Sequence, residues 1–172
     1  MGFGKAFGFS LLAFIGLNVV FFLIGYGISG TLINYFTVIV PGNPLNILQM
    51  FFGPIIFLQF PYIMTETFVA WITMILPFEL GYLFLFIGFI VAPFLAAFLS
   101  GRFGENKLQD FMGWFVTVMI CAIVVAIVGA IGLFLTGGTF SAILNQVLLS
   151  IAIGLVLGLA YGSIALLTSR EF

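Results

Sequence analysis

Two carboxylates, Glu66 and Glu79, stand in or beside apolar stretches of this sequence. A carboxylate at membrane depth is expensive, and for that reason it is a functional candidate: it binds a cation or relays a proton. Glu66 lies between Thr65 and Thr67, and Glu79 follows Pro77. At the start of the next apolar run Glu79 also reads as an interfacial acid that favours a helix N-terminus. Asn18 is the one strongly polar side chain of the first apolar run. An amide there bonds helix to helix or contacts a substrate. Glu66, Glu79 and Asn18 are therefore the candidate ion or substrate contacts.

The rest of the inventory excludes more than it offers. The chain has no histidine, which removes histidine-ligated haem, the usual zinc and copper sites and every hydrolase with a histidine base. Asp110 is the only aspartate, so a two-aspartate intramembrane protease is excluded. The single cysteine, Cys121, lies inside an apolar run and cannot close an internal disulfide. No enzyme activity, cofactor or metal is expected. The net charge of −1 leaves no basic surface for nucleic acid.

These residues need elements to hold them, and the composition dictates where those elements sit. Of 172 residues, 64% are hydrophobic and 5% are charged, against roughly 25% charged in a soluble domain. So few charges cannot cover a water-facing surface. The expected fold is an all-α integral membrane protein, a single membrane domain over 1–172. It is a four-transmembrane-helix bundle with short interfacial or re-entrant helices between spans one and two.

The spans are read at about 6–28, 80–100, 111–135 and 143–167, each long enough for a hydrocarbon core of roughly 30 Å. The first run is about 23 residues, longer than the roughly 7–15 of a signal-peptide core, and reads as a retained helix. Gly25, Gly27, Ser29 and Gly30 loosen its end and predict a break near Gly30. The outer segment, 31–78, is cut by Pro41, Pro44, Pro54, Pro61 and Pro77. Its 45–77 portion is apolar but broken, and reads as re-entrant, interfacial or a spanning hairpin. The stretch from Arg102 to Asp110 reads as a solvated turn. Lys5, Arg102, Lys107 and Arg170 fall on one side of a four-span topology, which predicts cytoplasmic termini in a cell membrane.

Small residues recur at every fourth position. They are Ser150, Gly154, Gly158 and Gly162 in span four; Gly88, Ala92, Ala96 and Ser100 in span two; and Ala122, Ala126 and Ala130 in span three. Such faces let helix backbones approach closely in lipid, where no hydrophobic force joins them. They serve either internal packing or a partner interface. The expected partners are the bilayer and other membrane subunits or further copies of the chain. The function expected is that of a non-catalytic structural or accessory subunit of a larger membrane complex. The alternative is a small permease or channel with a site near Glu66.

Overall fold

The structure is a computed structural model that describes residues 2–42, 44–59 and 80–169. All regular structure among them is helical. Four long helices carry the fold: α1 (Gly2–Ile28), α3 (Leu80–Phe103), α4 (Lys107–Leu135) and α5 (Phe140–Thr168). All four are long and apolar enough to cross a membrane. Between α1 and α3 come short helical turns over residues 32–42 and 44–47, and then the 12-residue helix α2 (Leu48–Gln59).

Local chemistry sets the helix ends. α1 stops at Ile28, and Gly30 takes φ +69°, a left-handed conformation that favours glycine. The expected break near Gly30 is therefore found there. α4 begins at Lys107, earlier than expected, because the Asn106 side chain accepts the Gln109 N–H at 2.9 Å. This N-cap satisfies a donor that the first turn leaves open. Thr139 caps α5 in the same way through the Ala142 N–H.

α1 packs on α3 and α4, and α5 packs on the same two helices, so α1 and α5 occupy opposite corners of the bundle. A Cβ at Gly2 would run into Glu105 and Gln109, and one at Gly101 would run into Ala165 and Thr168. The start of α1, the end of α3, the start of α4 and the end of α5 therefore share one end. Lys5, Arg102, Glu105 and Lys107 all lie there.

α2 touches all four long helices. Its backbone leaves helical geometry at Phe52 (φ −125°, ψ 27°), two residues before Pro54, whose ring cannot take part in the helix ladder. Phe52, Gly53, Pro54 and Ile55 are buried. Ile55 joins Phe14, Ala96, Ala97, Trp114, Val118 and Cys121 in the main apolar core. Outside this core the long helices show large apolar side chains to their surroundings, among them Leu12, Ile90, Ile127, Val156 and Leu159.

Candidate functional site

Asn18 is buried in α1, and its Nδ2 donates to the Phe51 carbonyl at 3.2 Å. That carbonyl belongs to the residue just before the break in α2. Asn18 lies ten residues inside the end of α1 at Ile28, about 15 Å along the axis at 1.5 Å per residue. The amide thus holds irregular backbone well below the end of α1. Glu66 and Glu79, with which Asn18 was grouped, lie outside the described residues.

A second anchor holds the turns that precede α2. The Tyr35 ring is buried against Phe22 and Tyr26, with centroids at 4.7 Å in each case. Its hydroxyl donates to the Asn46 carbonyl and reaches Gln49 Oε1 at 3.3 Å. Burial, and then the neighbouring Tyr26, push the Tyr35 phenol above its ordinary pKa, so it remains a neutral donor. The sequence reading assigned no role to Tyr35. Its spacing of nine residues from Tyr26 means nothing until the chain folds back at Gly30.

The small-residue faces are brought together inside the chain. A Cβ at Gly154 would lie 2.6 Å from the Ala122 Cβ, one at Gly158 would lie 2.8 Å from the Phe115 ring, and one at Gly162 would lie 2.5 Å from the Phe111 ring. All three glycines face α4. Gly158 also lets the Trp114 indole N–H, fully buried, reach the Gly158 carbonyl at 3.2 Å and the Leu157 carbonyl at 3.3 Å. Ser150 is buried and returns its hydroxyl to the Gln146 carbonyl at 2.7 Å. On α3, Gly88 meets Phe21 of α1, and Ala92 and Ala96 are buried. On α4, Ala122 and Ala126 are buried and Ala130 is half-buried.

Asp110 is placed differently from its expected solvated turn. α3 runs on to Phe103 and α4 starts at Lys107, so the turn is only Gly104–Asn106. Asp110 falls in the first turn of α4 and is fully buried. Its main-chain carbonyl accepts the Ser100 hydroxyl at 2.6 Å, which ties α4 to α3. Neither carboxylate oxygen has a hydrogen-bond partner of normal geometry among the described residues, although the Ser169 hydroxyl and the Gly104 amide face the group. A Cβ on Gly104 would collide with its Oδ1. The sequence signal was present but weak: one acid four residues after an Asn N-cap, on the helix side that faces Ser100.

Among the described residues all regular structure is helical, with four helices able to cross a membrane and the broken helix α2 seated among them. Comparison with protein-family models, with curated proteins and with solved structures finds no match to this chain.

Proposed function

We propose that this chain is a multi-pass integral membrane protein that serves as a non-catalytic structural or accessory subunit of a larger membrane assembly. The observation that carries this reading is the filled centre of the bundle. Phe14, Ile55, Trp114, Val118 and Cys121, each at most 1% exposed, close the space where a path between the helices would run. A packed apolar interior with apolar side chains outside suits a body that shapes and supports neighbours in lipid. On this reading the broken helix α2 is re-entrant, and the end bearing Lys5, Arg102 and Lys107 faces the cytoplasm.

The glycines of α5 already meet α4, so a partner docks on the outward ridge that includes Leu155, Val156 and Leu159. This gives a paired prediction. Gly154→Leu is expected to destabilise the chain itself, because the new side chain meets the Ala122 Cβ. Val156→Trp is expected to leave the chain folded and to weaken its co-purification with partners. The test is mass and composition of the assembly extracted from native membranes in mild detergent. Larger subunits at fixed stoichiometry, lost from Val156→Trp alone, support the proposal. A bare monomer in every gentle detergent overturns it.

One observation favours the alternative reading of a small permease or channel. Broken helices held at membrane depth often build transport sites, and α2 is broken at Phe52 beside the amide of Asn18. A pure homo-oligomer that carries a solute into liposomes, with flux sensitive to Glu66→Gln, would replace the subunit reading with this one.

A further inference from the structure

The Asp110 carboxylate is fully enclosed, and both of its oxygens lack a hydrogen-bond partner of normal geometry among the described residues. A buried carboxylate in that state is strongly disfavoured unless a proton, a cation or the facing Ser169 hydroxyl and Gly104 amide satisfy it. The surroundings say which sign of charge that is. α3 ends at Phe103, and its last turn lies against the last turn of α5, where Gly101 meets the Ala165 carbonyl and Thr168. Asp110 abuts Gly104, directly after α3, and faces Ser169, directly after α5. The last four carbonyls of a helix have no partner within it, and a helix C-terminus carries about half a negative charge. Two such termini and one carboxylate therefore converge on a single buried spot. The start of α4 also lies there and offsets part of this field, as do the Gly104 amide and the Ser169 hydroxyl that face the carboxylate.

The Ser169 Oγ points into the same place and is also buried without a partner of normal geometry among the described residues. Among the described residues, the charged side chains of this end other than Asp110, namely Lys5, Arg102, Glu105 and Lys107, are exposed, and Arg102 lies over the Phe98 ring at 5.3 Å. We propose that Asp110, Ser169 and the adjoining carbonyl ends of α3 and α5 form a binding site for one small monovalent cation of the sodium class. A single carboxylate with neutral oxygens balances one positive charge. Calcium takes six to eight oxygens, usually with several carboxylates, and magnesium demands a near-ideal octahedron. The site stands independently of whether the chain serves as a subunit or a permease.

The test uses the full chain, purified in detergent. Equilibrium dialysis against radioactive sodium is expected to find close to one ion bound per chain. Thermal unfolding is then compared in sodium chloride and choline chloride at equal ionic strength. Sodium is expected to raise the wild-type Tm by several degrees, since a ligand of the native state alone stabilises it. The isosteric Asp110→Asn is expected to lose that response, Ser169→Ala to bind sodium several-fold more weakly, and Arg170→Gln to keep the response. No bound sodium in the wild type overturns the proposal. So does an equal Tm in sodium and choline, or a sodium response that persists in Asp110→Asn. Loss of the response in Arg170→Gln also overturns it, by assigning the carboxylate to a side-chain cation.

Discussion

Gly113→Leu is expected to lower the Tm in detergent by roughly 6–12 °C, the largest effect of any single glycine substitution in α4. A Cβ at this position would lie 2.6 Å from the Ser100 Oγ, 2.7 Å from the Ala6 Cβ and 3.0 Å from the Ala6 carbonyl carbon. The obstacles come from α3 and α1 together, and one of them is backbone, which cannot turn aside as a flexible side chain would. Overpacking a filled interior costs about 1–3 kcal/mol and more where backbone must move. For a chain of this size each kcal/mol shifts Tm by roughly 2–4 °C. Nearby, Ser100 would also be pushed from the Asp110 carbonyl that it now binds at 2.6 Å. Gly4→Leu is the control, because a Cβ there meets nothing within 4 Å. A Gly113→Leu protein that melts within about 2 °C of the wild type would show that the three helices do not close as described.

That junction illustrates where the sequence was legible and where it was not. The four long helices were readable because an uninterrupted apolar run of this length has few other fates, and all four lie close to the expected limits. At the polar end Asp110 was misjudged, because its charge was taken as a sign of solvent exposure, while its neighbours Arg102, Glu105 and Lys107 are indeed exposed. Asn106 caps α4 one residue before Lys107, so the helix starts inside the charged stretch and carries Asp110 into the interior. On α5, Gly154, Gly158 and Gly162 form one row against α4.

Gly113, Thr117 and Cys121 form an equally regular row on α4, yet only the first is a glycine, and the row escapes a search for glycine and alanine alone. Gly25 was read as a residue that loosens α1. In the fold it meets Gly81 of α3, and each glycine leaves room for the other's backbone. A glycine that weakens a lone helix and one that permits a helix crossing look identical until the partner is known. The insertion of α2 was half legible. Pro54 and Asn18 both announce broken or paired backbone, but nothing in their separate positions says that one serves the other.

The Asn18–Phe51 bond supplies the second large effect. Asn18→Leu is expected to release α2 from the bundle while leaving the four long helices in place. The substitution keeps most of the side-chain volume and removes the amide that donates to the Phe51 carbonyl. An acceptor stripped of its partner inside protein costs about 1–3 kcal/mol, and the Phe51 carbonyl stands next to the non-helical backbone of Phe52. A 12-residue helix is marginal by itself in any case, so its position depends on docking. Ile55, fully buried in the wild type, provides the readout. In a chain with Cys121→Ala and Ile55→Cys, a water-soluble maleimide is expected to react slowly. Adding Asn18→Leu is expected to raise the labelling rate by at least tenfold, roughly the change that 1.4 kcal/mol makes in an opening equilibrium. Helical content by circular dichroism should fall by no more than the share of α2. If the thiol introduced by Ile55→Cys stays protected, apolar contacts of Phe52 and Ile55 hold α2 without the amide. Asn18 would then be an accessory to the insertion, and the depth of α2 would have to be explained by packing against Phe14 and Trp114 alone.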